Sequence, residues 1–142
     1  MECSRGSRRY AAEVDTTDEP RATLFYDVDC GFCTRAVVAL LRLDRRRALR
    51  AEQIRSPLGD RLLGDLPDSE RDGSWHLVEA SGRRTAAGAA AAPLLRLLPA
   101  LAWLAPLLEA FPATVDAAYR LVARNRGRLS RAVGADRCIP PS

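Results

Sequence analysis

The chain has 142 residues, 47% of them apolar and 28% charged, and a net charge of +4. That length supports one domain with its own core, and the composition excludes a disordered or fibrous chain. No lysine is present, so all 22 basic residues are arginine; with the heavy use of alanine and leucine this reads as GC-rich codon bias, and the basic pI is no argument for a nucleic-acid partner.

Residues 1–21 are polar and irregular, with no apolar stretch of a secretory signal, and read as a flexible tail. Ala22 to Asp27 is the first strand, a short β-branched and aromatic run after Pro20. Cys33, Ala36, Val37, Leu40 and Leu41 then recur at three- and four-residue steps, which predicts an amphipathic helix from about Cys30 to Leu43. Arg45-Arg46-Arg47 reads as a solvated turn, and Leu49 to Glu52 as a second short strand. Ser56-Pro57 opens a helix with a capping hydroxyl and a proline at the first helical position; Leu58, Leu62 and Leu63 form its apolar stripe. Pro67 to Gly73 reads as a polar loop. Trp75 to Glu79 alternates, with Trp75 and Leu77 on one face and His76 and Val78 on the other, and Ala80-Ser81-Gly82 turns the chain into a return strand at Arg83 to Thr85.

From Gly88 the chain is rich in alanine and leucine and helical, divided by prolines at 93, 99, 106 and 112. Leu97 to Leu108 falls short of the roughly 18–20 uncharged apolar residues of a membrane span. Internal packing is preferred for it over a dimer contact or contact with a membrane surface. The last clear helix runs from about Ala113 to Asn125, with Val115, Ala118, Tyr119 and Val122 as its expected buried stripe and Asp116 with Arg120 as an i,i+4 pair. Gly127 and Gly134 bracket a final basic turn. A cytoplasmic protein is the expectation.

The order β-α-β-α-β-β-α places a parallel pair with a right-handed crossover beside an antiparallel hairpin. The fold class expected is α/β: a thioredoxin-like small mixed four-stranded sheet with flanking helices over residues 22–92, and a C-terminal helical extension, 93–142, packed on that core.

Cys30-Gly31-Phe32-Cys33 lies where the first strand hands over to the first helix. Two thiols at that spacing close a small ring, and a helix N-terminus stabilises a thiolate. Cys30, at the tip, is the expected nucleophile; Cys33, one turn in on the apolar face, is the expected resolving thiol. Asp27 ends the strand, either as a proton shuttle for Cys33 or as an acceptor for backbone donors in the turn. Asp29 reads as a helix-start residue. His76, Trp75 and Trp103 read as structural or surface positions, and Cys3 and Cys138 have no partner at motif spacing.

The stretch Leu24 to Arg35, with Asp27, Cys30 and Cys33, resembles the signature of the DCC family of thiol–disulfide oxidoreductases. The resemblance continues through Gly73-Ser74-Trp75, Gly88-Ala89 and Ala118 to Arg126, and covers roughly residues 22 to 138. It implies a thioredoxin-like fold and an Asp27–Cys30–Cys33 catalytic set. It further implies dithiol–disulfide exchange with no cofactor, acting on a disulfide-containing protein or small thiol with a separate electron donor. Two positions depart from the pattern. Val28 stands where the family has glycine, and Gly73-Ser74 stands where thioredoxin-like enzymes carry a cis-proline before the third strand.

Four other functions are weighed. A metal site needs ligands beyond Cys30 and Cys33, and only the isolated Cys3, Cys138 and His76 remain. Haem attachment fails because Thr34 stands where histidine is required. Asp27-Val28-Asp29 resembles a phosphatase nucleophile motif, with Gly59-Asp60 and Asp65 as its late acidic motif, but too little chain intervenes. A non-catalytic interaction module is the remaining alternative.

Overall fold

The computed structural model describes residues 21–132. The tail up to Pro20, Cys3, Gly134 and Cys138 lie outside the described residues. The elements are β1 (Ala22–Tyr26), α1 (Gly31–Leu43), β2 (Leu49–Gln53), α2 (Pro57–Leu63), α3 (Asp68–Arg71), β3 (His76–Val78) and β4 (Arg84–Ala86), followed by α4 (Ala91–Leu97), α5 (Ala105–Ala110), α6 (Pro112–Arg124) and α7 (Arg126–Ala132). Short 3-10 turns at Ala87–Ala90 and Ala102–Leu104 lead into α4 and α5.

The sheet order is β2-β1-β3-β4. β1 runs parallel to β2, with α1 as the crossover, and antiparallel to β3; β3 and β4 form the hairpin. This is the thioredoxin-like α/β arrangement, a mixed four-stranded sheet flanked by helices. β1 is interior because its alternation serves both faces. Ala22 and Leu24 point to a cluster with Val37, Leu49, Leu77, Ala90 and Leu94, while Phe25 joins Ile54, Leu63 and Val78 on the opposite face. The alternation of β3 falls as expected: Trp75 and Leu77 pack with the first cluster, Val78 with the second.

Local chemistry explains most boundaries. Ser56 Oγ accepts the Gly59 N–H at 3.0 Å, and Pro57 opens α2. Asp44 ends α1, and its buried carboxylate accepts from Ala48 N–H at 3.1 Å and Leu49 N–H at 2.8 Å, which fixes the entry into β2. Arg45, Arg46 and Arg47 are exposed on that turn.

Four expectations are corrected. The polar loop at Pro67–Gly73 contains the one-turn helix α3, opened by Pro67 with Asp68 and Glu70 in its first turn. Its Arg71 is buried at 6% exposure, where Nη2 donates to Ile54 O at 2.8 Å and pairs with Asp60. The basic turn after Asn125 is helical: α7 runs through Gly127.

α6 is also rotated from the expected stripe. Ala118 and Val122 are exposed, whereas Val115, Asp116, Tyr119 and Ala123 face inward. The cause is Gly88, where a Cβ would come within 2.8 Å of Asp116 Cα. The backbone of α6 rests on that glycine, so the contact centres on position 116. Finally, Leu98 and Ala105 are fully buried, but Trp103 (71% exposed), Leu107 (53%) and Phe111 (58%) face outward, so internal packing describes only part of this segment. Pro93 sits in the first turn of α4, where its missing N–H has no intrahelical acceptor to lose.

Candidate functional site

β1 ends at Tyr26 at one end of the sheet, and the next four residues form the turn into α1. Asp27 Oδ1 accepts the Asp29 N–H at 2.9 Å, and Asp27 O accepts the Cys30 N–H at 3.3 Å. The aspartate thus closes an Asx-type turn that sets the height of Cys30. Val28 is exposed and is not among the residues with positive φ, which for non-glycine positions are Arg47 and Ala87. The turn is made without the left-handed conformation that a glycine would supply.

Cys30 is the N-cap of α1, with extended backbone at φ −88° and ψ 103°. Its Sγ accepts the Cys33 N–H at 3.2 Å, the bond a serine or aspartate makes at an ordinary cap. Cys30 and Cys33 are at disulfide distance, with Cα atoms 5.2 Å apart. Both are partly exposed. Thr34 Oγ1 donates to Cys30 O at 3.2 Å and so ties the second turn to the cap.

A residue that the sequence did not single out completes this end of the helix. Ser130, on α7, is buried, and its Oγ accepts the Phe32 N–H at 3.1 Å from 98 residues away. A single serine in a basic run carries no signal of such a contact. Arg71 is the other missed position, and its backbone oxygen lies 3.0 Å from His76 Nε2, which leaves His76 a buried structural histidine.

The Gly73-Ser74 segment enters β3 with no cis peptide bond among the described residues. Trp75 is held on three sides. Its N–H donates to Tyr119 Oη at 3.3 Å, its indole Nε1 donates to Ala87 O at 2.8 Å, and its ring stacks on Tyr119 at a centroid distance of 5.9 Å. Burial pushes the Tyr119 phenol above its ordinary value, opposed by the Trp75 N–H and by Arg126.

The register places Phe25, His76 and Ala86 in one row across the sheet, and Trp75 O accepts the Ala87 N–H in the next. At about 4.8 Å per strand, β4 lies about 10 Å across from β1. A groove of about 690 Å3 opens there, lined by Ser74, Thr85, Ala87, Tyr119, Arg120 and Arg124 among others. Its lining runs on to Leu66, Ser69 and Arg84 and includes no residue of the cysteine turn.

Among the described residues no group of three or more His, Cys, Asp or Glu side chains is placed to hold a metal ion. No helix among them is long and apolar enough to cross a membrane.

A cysteine pair capping the first helix, beside the central strand of a 2-1-3-4 mixed sheet, defines a thioredoxin-like protein with a CxxC site. The particular family follows from comparison. The model described as DCC1-like thiol-disulfide oxidoreductase matches residues 24–132, more than half the chain, and the chain belongs to that family. Membership supports a redox role for the pair. No curated protein and no solved structure matches the chain.

Proposed function

We propose that the protein is an enzyme of dithiol–disulfide exchange, with Cys30 as nucleophile and Cys33 as resolving thiol. The observation that carries the reading is the place of Cys30 Sγ: on the N-cap of α1, accepting the Cys33 N–H, and partly open to solvent. A thiolate there gains both the amide bond and the positive end of the helix.

In the reducing direction the Cys30 thiolate attacks one sulfur of a substrate disulfide. A mixed disulfide forms and one substrate thiolate leaves. Cys33 loses its proton and attacks Cys30 Sγ; the second substrate thiolate leaves, and the Cys30–Cys33 disulfide remains. Two electrons have passed to the substrate, and a dithiol donor returns the pair to its reduced form. The substrate is a disulfide-containing protein or small thiol compound, and the electron donor is separate. A cytoplasmic setting fits a pair that is continually re-reduced. For Asp27, its contact with Asp29 favours a role in presenting Cys30 through the turn over one in proton transfer.

Cys30→Ser is expected to abolish turnover in a coupled disulfide-reduction assay. Cys33→Ser is expected to accumulate mixed disulfides visible by non-reducing electrophoresis and mass spectrometry. Full reductase activity in Cys30→Ser would end this reading.

A further inference from the structure

The first turn of a helix carries amide N–H groups with no intrahelical acceptor, and an anion seated there is stabilised by direct hydrogen bonds as well as by the dipole. An N-cap side chain can accept from the second or the third helical residue. In α1 those are Phe32 and Cys33, and the cap side chain is Cys30 Sγ. The Cys33 N–H goes to the sulfur at 3.2 Å. The Phe32 N–H goes to Ser130 Oγ at 3.1 Å.

The two acceptors therefore stand side by side over one helix end. The hydroxyl is a neutral acceptor, brought in from α7 and 9% exposed, so water does not readily replace it.

We propose that Ser130 is a positioning residue that sets the acidity and redox poise of the cysteine pair by holding the Phe32 N–H away from Cys30. With that amide occupied, the Cys30 thiolate keeps one direct donor, the Cys33 N–H. A thiolate with fewer donors is less stable, so Cys30 is less acidic. The dithiol form is also less favoured relative to the disulfide, which makes the pair a better reductant. Removing the hydroxyl releases the amide to the sulfur and shifts both properties the other way. The inference deepens the redox reading of the CxxC site and rests on it for its biological meaning.

The test compares Ser130→Thr with Ser130→Val in the full chain. The two side chains share a shape and differ in the hydroxyl, so both place the same bulk in the α1–α7 contact. The neighbouring charges, Asp27 and Asp29 before the cap and Arg126, Arg128 and Arg131 on α7, are the same in both. Two readouts are taken: the pH dependence of alkylation at Cys30, followed on the Cys30 peptide by mass spectrometry, and the equilibrium of the pair with reduced and oxidised glutathione.

Ser130→Thr is expected to match the native protein. In Ser130→Val the alkylation midpoint is expected to fall by about half to one pH unit, with a shift of about three- to tenfold toward the dithiol in the glutathione equilibrium. A midpoint equal in the two variants, or higher in Val, would overturn the proposal, and a loss of thermal stability without a change in the midpoint would show a packing role alone. If neither variant folds, Ser130→Ala is measured against the native protein by the same readouts. Neither readout requires turnover. A native protein without reductase activity would therefore remove the proposed function and leave the Ser130 result standing.

Discussion

Asp27 is a carboxylate open to two roles, in the turn and in proton transfer. At the end of a strand, next to two thiols, an aspartate suits proton transfer. Its Oδ1 accepts the Asp29 N–H at 2.9 Å, in the same turn in which its carbonyl accepts the Cys30 N–H. Asparagine keeps an oxygen at that position and loses the charge; alanine loses both. Asp27→Asn is therefore expected to stay within about 0.5 kcal/mol of the native stability, and Asp27→Ala to lose about 1 kcal/mol in urea unfolding. The two variants also separate the candidate roles in activity. If the turn is what matters, Asn retains most of the turnover and Ala loses more. Equal and severe loss in both would assign the negative charge to the chemistry.

At the scale of elements, α6 is held by two contacts to the hairpin side of the sheet: its backbone against Gly88, and Tyr119 on Trp75. Burial favours the neutral phenol, so the folded pKa of Tyr119 lies above its ordinary value near 10. The sign follows directly. A group whose pKa rises on folding adds stability that is complete below the unfolded pKa and is lost as pH climbs through it toward the folded one. Tyr119→Phe cannot ionise and forfeits the bond from the Trp75 N–H, a cost of about 1 kcal/mol. The native protein is thus expected to exceed Tyr119→Phe in its urea midpoint at neutral pH, with the gap narrowing above about pH 10. A gap that stays constant to about pH 11 would mean that the phenol ionises equally in the folded and unfolded states and that burial does not raise its pKa.

These elements also show what the sequence discloses and what it does not. β1, α1 and the start of α2 were legible because their causes are local: a short β-branched and aromatic run at Ala22–Tyr26, helical spacing from Cys33 to Leu41, and a capping serine before Pro57. The turn that carries the candidate residues Asp27, Cys30 and Cys33 was legible as one unit because they lie within seven residues. The face of α6 was not, since it is chosen by a glycine 28 positions before Asp116 rather than by hydrophobicity. Ser130 was not, because a hydroxyl meets the Phe32 amide only once the last helix has docked. The burial of Arg71 depends on the Ile54 carbonyl and Asp60 from two other segments.

For the molecule as a whole, the sheet is covered by a cluster on each face, but the chain between α4 and α6 is divided in what it buries. Leu98 and Ala105 are fully enclosed, while Trp103, Leu107 and Phe111 recur every four residues on the outside. The energetic consequence is opposite for residues of the same type. Removing Leu98 to alanine takes a buried side chain from a packed interior and leaves a cavity, which costs about 2–5 kcal/mol. Leu107 already meets solvent over half its surface, so Leu107→Ala is expected to change stability by less than about 1 kcal/mol. Thermal and urea unfolding of the two variants decide between an outward ridge and a segment folded onto the core. Equal losses at the two leucines would mean that Leu107 is packed in solution, whether against this chain or a second copy. In the second case the loss would diminish on dilution, because the stability of an associated state depends on protein concentration.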